Sequence, residues 1–122
     1  MATVLVVEDD QDTQEFLELV LKKDGHEVLS ALNGGEGIEL AESRQPDIIL
    51  SDLMLPEPPA DVELLRKLRE VAPEAPIVVI SGYPSADRIK ECEEMGITEF
   101  LTKPFEIPFV RKVVENLTSG NE

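Results

Sequence analysis

Pro46-Asp47-Ile48-Ile49-Leu50-Ser51-Asp52-Leu53-Met54-Leu55-Pro56 is the stretch whose reading sets the fold. Ile48, Ile49 and Leu50 are three consecutive apolar β-formers enclosed by prolines, so they predict a short strand buried on both faces, as in the middle of a parallel sheet. Asp52 falls where that strand runs out. Open α/β sheets bind their ligands outside the carboxyl ends of the strands, which makes Asp52 a candidate reactive group. Taken alone it is better read as a strand-ending turn former. A functional reading depends on what other segments bring to the same edge.

Working outward, Thr3-Val4-Leu5-Val6-Val7 is a second continuous apolar run and predicts a second doubly buried strand, ending in Glu8-Asp9-Asp10. From Asp12 to Asp24 the positions Phe16, Leu17, Val20 and Leu21 recur at helical spacing, with Asp12 or Thr13 as cap and Gly25 as stop. Glu27 to Ala31 reads as a short strand, Asn33-Gly34-Gly35 as a turn, and Glu36 to Arg44 as a weaker helix, because the interior Gly37 costs about 1 kcal/mol relative to Ala. Beyond Asp52, Pro56-Glu57-Pro58-Pro59 excludes helix, and Asp61 to Ala72 places Val62, Leu65 and Leu68 on one face. A fourth strand spans Pro76 to Ser81, a charged helix Ser85 to Met95, a fifth strand Glu99 to Thr102 leading into Lys103-Pro104, and a last helix about Pro108 to Leu117. Five strands alternating with five helices specify an α/β, doubly wound parallel sheet. The Lys103–Pro104 bond is expected to be cis, since the chain must turn sharply there while aiming Lys103 back at the acids.

With 122 residues, one domain covering 1–122 is expected. There is no run of apolar residues long enough to span a bilayer and no signal-peptide pattern at Met1, so a cytoplasmic protein without membrane contact is expected. Cys92 is the single cysteine and His26 the single histidine, which leaves no Cys/His metal set; His26 reads as a surface turn residue. The formal net charge of -15 argues against nucleic-acid binding, which needs clustered Lys and Arg.

In such a sheet Glu8, Asp9, Asp52, Ser81 and Lys103 all emerge at the same edge. Carboxylates crowded there repel each other, and a hard divalent cation with oxygen ligands relieves the repulsion. Mg²⁺ is the expected guest, because it takes one or two protein carboxylates and shares its shell with phosphoryl oxygens. A carboxylate can itself be the nucleophile in phosphoryl transfer while the cation, an ammonium and a hydroxyl take up charge on the equatorial oxygens. Asp52, Lys103 and Ser81 fit those roles.

These residues resemble a response-regulator receiver domain of two-component signalling. The likeness spans nearly the whole chain: Val7-Glu8-Asp9-Asp10, Asp52-Leu53-Met54-Leu55-Pro56, Ser81-Gly82 and Lys103-Pro104-Phe105. It implies a flavodoxin-like sheet in the order 2-1-3-4-5. It also implies that Asp52 accepts a phosphoryl group from a sensor histidine kinase or phosphotransfer protein, and that Asp9, Asp52 and the Met54 carbonyl hold Mg²⁺ with Glu8 assisting through water. Ser81 and Lys103 would then contact the phosphoryl group. Ser81 and Phe100 would be the switch, changing the face of the fourth helix, fifth strand and last helix that meets a downstream partner. The chemistry implied is self-catalysed phosphotransfer and slow autodephosphorylation, not that of a conventional enzyme. One departure stands out: Glu57-Pro58-Pro59-Ala60 is one residue longer than the usual turn and lacks its glycine.

Blander readings apply to single residues. Asp10 and Asp12 are read as helix-start acids, Lys103 alone as a turn lysine, Phe100 as core, and the patch of Phe100, Phe109 and Tyr83 as either scattered aromatics or a partner face. A rival class is a flavin-binding electron carrier of the same architecture. It requires a phosphate-cradling loop after the first strand, where Glu8-Asp9-Asp10 would repel phosphate. A docking-only pseudo-receiver is opposed by the intact acids and Lys103. A single-domain regulator, a phosphorelay intermediate and a piece of a larger hybrid kinase all fit the sequence.

Overall fold

A computed structural model describes residues 2–82, 85–97 and 99–119. The elements alternate strictly: β1 Thr3–Val7, α1 Gln11–Lys23, β2 Glu27–Ala31, α2 Gly34–Arg44, β3 Ile48–Asp52, α3 Asp61–Val71, β4 Ile77–Ser81, α4 Ala86–Glu94, β5 Glu99–Thr102 and α5 Ile107–Ser119. The five strands are parallel in the order β2-β1-β3-β4-β5. This is the doubly wound, flavodoxin-like sheet expected, with β3 at its centre.

The two-residue period of the strands divides the core. Val4, Val6, Ile48, Leu50, Val78, Ile80 and Leu101 face one side, where α1 and α5 supply Leu17, Val20, Leu21, Val110 and Val114. Leu5, Val7, Ile49, Ile77 and Val79 face the other, under α2, α3 and α4. Each strand residue in β3 and β4 is buried, which is why these strands read as unbroken apolar runs.

Helix starts differ from the sequence expectation in informative ways. The cap of α1 is Asp10, whose carboxylate accepts from Thr13 N at 3.1 Å, so the helix starts at Gln11 instead of Asp12. Asn33 accepts from Glu36 N at 2.8 Å, and the Glu36 carboxylate accepts from Leu32 N at 3.0 Å; this reciprocal cap draws Gly34 and Gly35 into α2 instead of leaving them in a turn. Gly37 has a packing reason: a Cβ there would lie 2.7 Å from Val7 Cγ2, so its absence lets α2 close on β1. His26 lies in the turn between α1 and β2, half-buried, and its Nδ1 accepts from Ala2 N at 3.0 Å, which ties that turn to the start of β1. The Lys103–Pro104 bond is cis as expected, and Pro58–Pro59 is cis as well.

The segment after Asp52 resolves the departure noted above. Leu53 and Leu55 are buried, and Pro59 lies against the first turn of α2, where a Cβ on Gly34 would meet Pro59 O at 1.9 Å. Without a glycine, Asp61 itself takes the left-handed conformation (φ 59°) that opens α3. Its amide donates to Leu53 O at 2.9 Å, and its carboxylate pairs with Arg88 of α4 at 2.6 Å.

Candidate functional site

Asp52 ends β3 and is 5% exposed. Its Oδ1 accepts from Met54 N at 3.0 Å and its Oδ2 from Lys103 Nζ at 2.9 Å. Lys103 is aimed by its backbone: its amide donates to Ser81 O at 2.9 Å, continuing the β4–β5 ladder one residue past β5. The same ammonium pairs with Glu8, which is 0% exposed at the end of β1. Glu8 N donates to Ala31 O at 3.0 Å, so the end of β2 holds the first acid in place.

Carboxylate oxygens of Glu8, Asp9 and Asp52 all lie within 4.8 Å of one another, with Asp9 on the solvent side. Of the charged side chains in ion pairs with these acids, Lys103 is the only cation among the described residues. Burial, reinforced by a hydrogen bond to Asp52 and by the Asp52 charge, pushes the Glu8 carboxyl up to about 7 in spite of Lys103. Burial works against the Lys103 ammonium, but its pairing with Glu8 and Asp52 outweighs this and holds it above the usual lysine value. A site made only of carboxylate oxygens, with more negative charge than its lysine neutralises, suits a hard divalent cation.

Glu8, Asp9, Asp52 and Lys103 are therefore brought together as expected from the sequence. Ser81 is buried at the end of β4, the strand beside Asp52, and meets Lys103 through its carbonyl. Met54 touches Asp52 through its amide, and the residue is otherwise exposed. Phe100 is half-buried on β5 against the core under α2 to α4. Phe109 is exposed, and Tyr83 lies outside the described residues. Beside Lys103 an open groove of about 580 Å³ is lined by Asp12, Thr13, Phe16, Gly82, Pro104 and Phe105, with Phe16 and Phe105 in tilted ring contact at 5.9 Å.

Sequence reasoning passed over Gln14. It sits on the buried face of α1, in register with Leu17 and Leu21, and its amide reaches the carbonyls below the acids. A polar residue at a core register of an amphipathic helix was the available signal.

The response regulator receiver domain profile matches residues 4–115, and the chain belongs to that family, the receivers of two-component signalling. It is 26% identical over 112 residues to sporulation initiation phosphotransferase F of Bacillus subtilis, covering 92% of this chain and 90% of that one. It is 35% identical over 109 residues to a cyclic di-GMP phosphodiesterase of Thermotoga maritima, covering 89% of this chain but 29% of that protein. The cell cycle transcriptional regulator CtrA of Caulobacter vibrioides is 36% identical over 102 residues, covering 84% of this chain and 44% of that one. Thus the chain spans less than half of two of these relatives and nearly all of the third. Among solved structures, chemotaxis protein CheY4 of Vibrio cholerae superposes with a TM-score of 0.87 at 27% identity, over 96% of this chain and 98% of that one. The receiver domain of the Francisella response regulator 1452 does so with 0.88 at 27%, over the full length of both.

Proposed function

We propose that residues 1–122 act as one receiver domain, a phosphorylation switch in which Asp52 is the phosphoacceptor. The observation that carries this is the buried Asp52 carboxylate at the sheet edge, paired with Lys103 beside Glu8 and Asp9. Asp52 attacks the phosphorus of a phosphohistidine on a kinase or phosphotransfer protein. The new O–P bond forms as the P–N bond breaks, the electron pair staying on the departing nitrogen, so that a phosphohistidine protonated on its other ring nitrogen leaves as neutral imidazole. Lys103, already on Asp52, shifts onto a phosphoryl oxygen, and the Ser81 hydroxyl donates to another. Glu8, Asp9, Asp52 and the Met54 carbonyl would hold Mg²⁺, which supplies charge neutralisation for the transferring group.

Ser81 moving toward the phosphoryl group leaves space that Phe100 enters, and the α4-β5-α5 face then presents a different surface to a downstream protein. Phosphate biases this equilibrium and does not create it. The acidic surface fits protein partners and not nucleic acid. Among the described residues no helix is long and apolar enough to cross a membrane, in keeping with a cytoplasmic role. The Bacillus relative's name, a phosphotransferase, supports a relay intermediate as one setting for this chemistry.

A small acyl phosphate with Mg²⁺ should add one phosphoryl group to the wild-type chain and none to Asp52→Asn. Undiminished labelling of Asp52→Asn would sink the assignment.

A further inference from the structure

Gln14 is 4% exposed, and its Nε2 faces three backbone oxygens: Ala31 O at 2.8 Å, Val6 O at 2.9 Å and Glu8 O at 3.2 Å. Carbonyl oxygens gathered at one point repel, and a donor must hold them there. An amide nitrogen has two hydrogens, so the three acceptors share them. Ala31 O already accepts from Glu8 N, so satisfying that oxygen does not require the glutamine. What the amide does is draw the ends of β1 and β2 and the Glu8 carbonyl together. That carbonyl belongs to the peptide linking Glu8 to Asp9, the two acids that β1 delivers to the site.

The Gln14 Oε1 is buried without a hydrogen-bond partner among the described residues. Leu or Met would fill the same volume beside Leu17 without a stranded acceptor, so packing alone does not account for an amide here.

We propose that Gln14 is a positioning residue: it clamps the Glu8–Asp9 peptide and so sets the directions in which both carboxylates meet a divalent cation. The inference rests on the assignment of Glu8, Asp9 and Asp52 to a Mg²⁺ site. Groups that hydrogen-bond metal-ligating side chains typically change affinity by about 10- to 100-fold when lost, and Gln14, which acts through the main chain between the two acids, belongs at the lower end of that range.

The test is Mg²⁺ titration by calorimetry of the wild-type chain, Gln14→Met and Val20→Ala, the last a buried change on the same helix that loosens the fold away from the acids. Gln14→Met should weaken Mg²⁺ binding about tenfold or more, while Val20→Ala keeps the wild-type constant within about twofold. In the unaltered chain, the Gln14 side-chain amide resonances should shift in step with Mg²⁺ binding, a readout that does not depend on any variant folding. Wild-type affinity in Gln14→Met, an equal loss in Val20→Ala, or Gln14 resonances that ignore Mg²⁺ overturns the proposal while Asp52 labelling stands. A wild-type chain that binds no Mg²⁺ overturns the metal assignment and this proposal with it.

Discussion

Lys103 Nζ stands 2.9 Å from Asp52 Oδ2 and simultaneously pairs with Glu8, so one ammonium spans carboxylates from two adjacent strands. That bridge leaves Asp9 without a cation among the described ion pairs and Glu8 only partly neutralised. The consequences for metal and pH dependence follow from the count of charges.

Mg²⁺ should stabilise the fold. A cation binding only the folded state adds RT ln(1 + [L]/Kd), about 1.4 kcal/mol at roughly ten times Kd, or on the order of 4 to 8 °C. Asp9→Asn should raise the stability of the metal-free chain by relieving repulsion and should lose most of the Mg²⁺ gain. Thermal melts in chelator and in millimolar Mg²⁺ at constant ionic strength measure both. Equal Mg²⁺ responses in the two proteins would mean that Asp9 is no ligand.

In chelator, Glu8 should make stability fall with rising pH. Its folded value is raised from 4.5 to about 7, so the folded state holds the proton that the unfolded chain releases. The contribution is complete below pH 4.5 and is lost as pH rises through about 7. Urea unfolding of wild type and Glu8→Gln should diverge over that window, the variant lacking the decline. Parallel curves would show that Glu8 titrates normally in the fold.

Asp61 combines a left-handed backbone with an ion pair to Arg88. Asp61→Gly relieves the backbone, by about 1 kcal/mol, and gives up an ion pair of about 0 to 1 kcal/mol, so its stability should stay near wild type. Asp61→Ala keeps the strain and loses the pair, and should be less stable than Asp61→Gly by about 1 kcal/mol. Denaturant midpoints decide it; an alanine variant as stable as the glycine one contradicts the left-handed assignment.

The glycines of α2 should rank by what a methyl would meet. Gly35→Ala has only an ordinary contact at 3.5 Å and should be neutral or stabilising. Gly37→Ala presses on the Val7 side chain and should cost about 1 to 3 kcal/mol, less whatever helix propensity returns. Gly34→Ala meets the Pro59 backbone and should be the worst, displacing the loop that follows Asp52. Melting temperatures in another order would contradict the packing of that loop on α2.

What was legible in the sequence was whatever both faces of a strand impose. Ile48 to Leu50 and Thr3 to Val7 read as doubly buried strands because each face meets helices, and their shared direction alone brings Glu8, Asp52 and Lys103 to one edge. What was hidden depends on contacts distant in the chain. Gly37 reads locally as a weak helix position, and only Val7 across the interface explains it. The core register of Gln14 on α1 is a local sign that its amide has partners, but that those partners are the carbonyls of Val6, Glu8 and Ala31 depends on how α1 packs over β1 and β2. The missing glycine before α3 was visible, but which residue would adopt its backbone conformation was not. The α1 cap is Asp10 instead of the expected Asp12 or Thr13, because Asp10 lies three residues before Thr13 and accepts from both its amide and its hydroxyl.

Chemical location of the phosphoryl group tests the central claim most directly. Hydride reduction of an acyl phosphate converts the aspartyl side chain into that of homoserine, which marks its position for peptide mass spectrometry. After exposure to Mg²⁺ and a small acyl phosphate, the mark should appear at Asp52, and omission of Mg²⁺ should suppress it. A mark at Asp9, Asp10 or any other carboxylate, with Asp52 unmodified, would contradict the assignment of Asp52 as phosphoacceptor.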